Sequence, residues 1–113
     1  MTNQNDTTTN FFYAPTDILK GTVRVPGDKS ITHRAILFGL LAAGTTVIED
    51  WLDAQDCRSS LDVARALGAQ VIEEPRKIII QGTGGHLQEP TDVLDCGNSG
   101  TTTRMFLGAL AAR

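Results

Sequence analysis

"PGDKSITHRAILFGLLAAGTTVIEDW", residues 26–51, changes rhythm twice. Pro26 and Gly27 interrupt the chain, good helix formers then run from Lys29 to about Ala43, and Gly44 supplies a stop. The β-branched stretch that follows, "TTVIEDW" at residues 45–51, predicts a short strand. Upstream, residues 18–25 alternate like another strand, with Ile18, Lys20, Thr22 and Arg24 set against Leu19, Val23 and Val25. Downstream, Asp53 and Asp56 give an acidic first turn to a second helix running to Leu67. Cys57, Leu61 and Ala64 lie on one stripe of that helix, and Gly68 is its terminator. "QVIEE" and "RKIIIQG", separated by Pro75, form a hairpin or a neighbouring pair. Residues 82–96 read as loop, with one short strand at "TDVLD", and a last helix opens near Asn98. The pattern is α/β, in the order β-α-β-α-β-β-α.

The chain has 113 residues, enough for one small domain with a modest core. With 41% hydrophobic and 20% charged residues and a net charge of -3, nothing draws it as a whole to nucleic acid, so any anion site must be local. No apolar run reaches membrane-spanning length, and the first ten residues, "MTNQNDTTTN", lack a secretory leader, so a cytoplasmic protein is expected. Residues 1–17 read as a disordered tail and lead-in, and 18–113 as the folded part. Cys57 and Cys96 form no CxxC pair and stand near no histidine cluster. They read as buried free thiols, and no metal site is expected.

The closing stretch "MFLGALAAR" carries an apolar face to the last residue, so this helix either docks on its own domain or belongs to a larger fold. An internal comparison favours the second. At a shift of 70 residues, Gly27, Thr32, Arg34, Leu37, Leu40 and Ala42 match Gly97, Thr102, Arg104, Leu107, Leu110 and Ala112. That is six of 17 positions, and it suits a duplicated unit whose second copy begins near Gly97.

Each copy leads a glycine into a helix and places an arginine on its second turn. At about 100° per residue, Lys29, Ser30, His33 and Arg34 are expected on one side of the first helix, with Ile31, Ala35, Phe38 and Ala42 on the other. A helix start offers unpaired N–H groups and the positive end of the dipole. Lys29 adds a compact charge, Arg34 a planar fork and Ser30 a hydroxyl. The competing reading is a capped, exposed basic turn in which Arg34 pairs with Asp28 or Glu49. His33 has no visible partner and reads as structural. "GDKS" lacks the glycines of a P-loop, and "QGTGGHL" lacks the third glycine and the following helix of a dinucleotide loop.

"PGDKSITHR" and "GNSGTTTR", in this order and with "TVIEDW" and "ALGAQV" between them, resemble the N-terminal portion of the 5-enolpyruvylshikimate-3-phosphate (EPSP) synthases from about Ile18 to Arg113. The related UDP-N-acetylglucosamine enolpyruvyl transferases carry an Ala-Lys-Asn core where this chain has "GDKS". The resemblance implies an inside-out α/β barrel of repeated βαβαββ units, here one unit plus the first helix of a second.

It also implies enolpyruvyl transfer from phosphoenolpyruvate to shikimate 3-phosphate without metal or organic cofactor. Lys29 would contact both substrates and serve as the catalytic residue. Ser30 and Arg34 would hold shikimate 3-phosphate, and Asn98 and Gly100 would form the phosphoenolpyruvate side, supported by Thr101 and Arg104. Met105 stands where some members have proline. In this family the position of Gly100 influences the inhibitor glyphosate. A further arginine for phosphoenolpyruvate, a cluster of serines and glutamine, an aspartate base and several basic residues would have to come from a complementary C-terminal part. The alternative is a noncatalytic fragment that binds phosphorylated small molecules.

Overall fold

The computed structural model describes residues 10–14 and 18–112, so most of the expected tail, residues 1–9 and 15–17, lies outside the described residues. The element order is α1 (Lys29–Leu41), β1 (Thr45–Glu49), α2 (Gln55–Ala66), β2 (Gln70–Glu74), β3 (Lys77–Gln81) and α3 (Gly100–Ala111).

The three strands form one sheet in the order β1-β3-β2, with β3 antiparallel to both neighbours. β2 and β3 are the expected hairpin, turned through Pro75 and an Arg76 at φ 63. Alternation sorts the strands' side chains. Ile78 and Ile80 of β3 are fully buried, while Val47 and Ile72, both paired with Ile79, show on the outer face. On the inner face α1 packs against β1 and β3 and α2 against β2, and α3 packs on α1 and α2. The core is Ile36, Leu37 and Leu40 of α1, Leu61, Val63 and Ala64 of α2, Leu67, Ala69, Ile78 and Ile80, with Phe106 inserted from α3.

The helix ends explain several sequence signals. Gly68, at φ +115, ends α2 while its N–H and that of Ala69 return to Arg65 and Ala64 carbonyls. The glycine-rich "GTGG" segment closes the end of α1. The Thr83 N–H and hydroxyl both donate to the Leu40 carbonyl, and the Gly84 N–H donates to that of Ala42. A Cβ at Gly82 would lie 2.1 Å from the Ala42 oxygen, so that glycine is a packing requirement. Arg58 and Arg65 of α2 share Glu73 of β2 at 3.1 and 2.8 Å, tying helix to sheet edge. Both cysteines are free, Cys57 buried but Cys96 partly exposed.

Three expectations fail. Residues 18–28 form no strand, and Leu19 is 90% exposed. A strand is held by a neighbour's ladder, and among the described residues none supplies one to this segment. "TDVLD" is likewise irregular, its Asp92 carboxylate accepting from the Val93 N–H. The faces of α1 are also not as expected. Its buried residues are Thr32, His33, Ile36, Leu37, Gly39 and Leu40, whereas Ile31 and Phe38 are 59% and 63% exposed. Tertiary contacts chose the stripe that meets α2 and β3, and a helix apolar over most of its circumference leaves that choice open. No helix among the described residues is long and apolar enough to cross a membrane.

Candidate functional site

The start of α1 is seated by backbone contact. A Cβ on Gly27 would lie 2.4 Å from the Asp50 carbonyl oxygen and 2.7 Å from the Leu52 nitrogen. Thr32 completes the seat, its hydroxyl donating to the Asp28 carbonyl at 2.7 Å and accepting from the Leu52 N–H at 3.1 Å. Asp28 is the N-cap, its carboxylate accepting from the Ile31 N–H at 2.8 Å. A negative charge therefore already sits at the positive end of this helix dipole, and any preference for a further anion here must come from side chains.

Those side chains divide. Lys29 reaches across to α2, its Nζ 3.1 Å from Asp56 Oδ2, with both groups partly open to solvent. Ser30 and Arg34, one turn apart, are exposed on another flank, since five residues carry Arg34 roughly 140° around the helix from Lys29. Among the described residues neither Asp28 nor Glu49 forms an ion pair with Arg34. His33 leaves the expected polar face altogether. It is 0% exposed, with its Nδ1 2.7 Å from Ser60 Oγ. Burial lowers its pKa, Asp56 opposes that shift, and Lys29 adds to it.

The start of α3 is built with a neutral cap. Gly97 takes φ +58, and Ser99 accepts the Thr102 N–H at 3.1 Å on a hydroxyl that is itself buried. The Gly97 N–H is held by Asp95 at 2.8 Å. Asn98 is exposed just before the cap, and Gly100 opens the helix with its Cα face toward Arg104. A Cβ at Gly100 would lie 2.9 Å from Arg104 Nη1.

Asp56 connects the two starts. Its carboxylate holds Lys29 and its carbonyl lies 3.4 Å from Thr102 Oγ1. Lys29 at the α1 start and Thr102 in the first turn of α3 thus both reach Asp56 of α2, while Ser30 and Arg34 lie on another flank of α1. From the sequence Asp56 reads only as part of an acidic first turn and Thr102 only as a repeat match, and Ser60 does not stand out. Their signal was present as polar residues recurring on the packed side of α2 and at the first turn of α3.

Comparison with known proteins places the chain in a family. The family model for EPSP synthase (3-phosphoshikimate 1-carboxyvinyltransferase) matches residues 13–113. The chain belongs to the EPSP synthase family. A 3-phosphoshikimate 1-carboxyvinyltransferase of Geobacillus thermodenitrificans is 50% identical over 102 residues, covering 88% of this chain and 24% of the relative. One of Prochlorococcus marinus is 57% identical over 97 residues, covering 83% and 22%. The solved EPSP synthase of Acinetobacter baumannii superposes with a TM-score of 0.74 at 39% identity, covering 80% of this chain and 21% of its own. The chain thus spans about a quarter of the length of its EPSP synthase relatives, and its three-helix, three-strand α/β fold is part of theirs.

Proposed function

We propose that this chain is the N-terminal, substrate-anchoring part of a 3-phosphoshikimate 1-carboxyvinyltransferase, active when joined by a complementary C-terminal part. The observation that carries this reading is that Asp56 of α2 binds Lys29 at the α1 start and lies against Thr102 in the first turn of α3, in a chain of this family. In the reaction, the 5-hydroxyl oxygen of shikimate 3-phosphate bonds to C2 of phosphoenolpyruvate while C3 gains a proton and the hydroxyl loses one. The tetrahedral adduct then expels phosphate and returns a proton from C3, leaving the enol ether.

Lys29 touches both anions and steadies charge on the adduct, exchanging part of its contact with Asp56 for substrate oxygen. Ser30 and Arg34 hold shikimate 3-phosphate. Asn98 and Gly100 present the α3 start to phosphoenolpyruvate, where a neutral cap leaves the dipole free to favour an anion. Gly100→Ala would push Arg104 aside and crowd this end, weakening glyphosate more than substrate.

Two observations support the need for a complementary part. The relatives are about four times as long, and α1 and α3 leave Ile31, Phe38 and Leu107 exposed, Leu107 at 67%. Mixing the chain with a second one carrying the remainder of a relative's length, then assaying phosphate release, tests the reading. Activity only in the mixture supports it, and a formed but inactive complex sinks it. Titrating the chain alone with shikimate 3-phosphate separates a binding fragment from an inert one.

A further inference from the structure

Between α1, α2 and α3 runs a buried chain of hydrogen bonds that the proposed chemistry does not use. His33 Nδ1 lies 2.7 Å from Ser60 Oγ, Ser60 Oγ 2.8 Å from Thr102 Oγ1, and Thr102 Oγ1 2.7 Å from Ser99 Oγ. His33, Ser60, Ser99 and Thr102 are all at most 2% exposed, and His33 Nε2 has no partner among the described residues. Polar groups placed between three helices are costly unless they are paired, and once paired their directionality fixes one register, which hydrocarbon contacts alone do not.

Only one orientation of the protons uses every donor. Ser99 Oγ accepts the Thr102 N–H, and among the described residues the acceptor within reach of its own hydroxyl is Thr102 Oγ1, so it donates there. Ser60 also donates to Thr102 Oγ1, and Thr102 donates to the Asp56 carbonyl. Ser60 then accepts from His33 Nδ1–H, and Nε2 is left as a bare acceptor. The opposite tautomer would bury an N–H without a partner, a rarer and costlier defect. Burial, which lowers the His33 pKa, keeps this ring neutral.

We infer that Thr102 is a positioning residue: through Ser60 and His33 behind it and Ser99 beside it, it sets the Asn98–Gly100 turn at a fixed distance from Lys29. Phe106, Met105, Ala109 and Leu110 also pack α3 on the core, but through apolar contacts without direction. Thr102 and Phe106 are the only buried residues of α3 among those described, and Phe106, a turn further on, is apolar and non-directional.

Thr102→Val keeps the shape and deletes the hydroxyl, whereas Thr102→Ser keeps the hydroxyl. The inference rests on the reading of the two substrates given above, so two measurements separate them. In the 113-residue chain, amide hydrogen exchange at Thr102 and Thr103, whose N–H groups bond to Ser99, should speed up about tenfold in Thr102→Val and return to the parent rate in Thr102→Ser, with α1 amides unchanged. In the assembled protein, Thr102→Val should weaken phosphoenolpyruvate about tenfold in KM, move shikimate 3-phosphate less than about threefold, and be rescued by Thr102→Ser. Unchanged exchange, or equal loss of both substrates, overturns the positioning role. If the unmodified mixture binds neither substrate, the functional reading falls and the exchange result alone decides for or against Thr102.

Discussion

The two helix starts at Lys29 and Gly100 come from matching sequence, yet they are built differently. At α1 the glycine is required because backbone presses on backbone, with a Cβ on Gly27 only 2.4 Å from the Asp50 oxygen. At α3 the matching Gly97 is required by a left-handed φ of +58, and its Cβ would meet only the Ser59 hydroxyl, at 2.9 Å. The caps differ in the same sense, an exposed carboxylate from Asp28 against a buried hydroxyl from Ser99. One start carries its positive charge on side chains and offsets its own dipole. The other leaves its dipole free and is anchored from below. A repeated motif therefore keeps its glycine while the backbone turn, the cap and the charge at the helix start all change.

The sharpest way to break this contrast is at Lys29. If the α1 start acts through side chains, Lys29→Met in the assembled protein should lower kcat/KM for phosphate release by about 10²–10³-fold, and a loss below tenfold would refute that assignment. Next come the paired glycines. Gly27→Ala should destabilise the chain by about 1–3 kcal/mol, because neither backbone can yield. Gly97→Ala, with a side chain able to move, should cost about 1 kcal/mol for its left-handed conformation. Urea midpoints in the reverse order would mean that the two turns are built alike.

A finer test concerns the caps. Asp28→Asn keeps a capping oxygen and removes the opposing charge, so shikimate 3-phosphate should bind about two- to fivefold tighter at low salt, as titration calorimetry would read. No change would show that the dipole of α1 takes no part. The smallest effect is a pH slope of at most one proton. Burial depresses the folded pKa of His33, so the unfolded chain binds the proton first. Stability from this residue is then complete above about 6.5, the ordinary imidazole value, and falls away as the pH drops toward the lower folded value. His33→Asn places an amide nitrogen where Nδ1 was and should flatten that slope in urea unfolding between pH 7 and 5. The steeper loss in stronger acid should remain. It comes from Asp50, Asp53 and Glu73, whose carboxyls are held below their usual range chiefly by hydrogen bonds from Arg76, Arg58 and Arg65 respectively.

Helices and hairpin were legible in the chain because their signals are local. Gly44 and Gly68 end helices, Pro75 turns the hairpin, and Cys57, Leu61 and Ala64 do form the buried stripe of α2. The strand at Ile18–Val25 misled because alternation reports only that a segment could pair. The polar face assigned to α1 misled for a related reason. With Ile31, Ile36, Leu37, Phe38 and Leu40 spread around the helix, periodicity alone could not choose which apolar side would be covered, and His33 went inward with the side that was. Within the candidate site, Lys29, Ser30, Arg34, Asn98 and Gly100 were legible as a motif. Asp56 and Thr102, 27 and 73 residues beyond Lys29, were not.

The amino-acid order by itself determined where helices start and stop, which turns need glycine, and the membership of this chain in its family, since each depends on neighbours along the backbone. Tertiary structure alone decided that Lys29 faces Asp56, that His33 is buried with its pKa lowered, and that a chain of hydroxyls joins three helices. Those outcomes depend on which surfaces exclude water from one another, and burial of that kind is a property of the packed ensemble of elements rather than of any one segment.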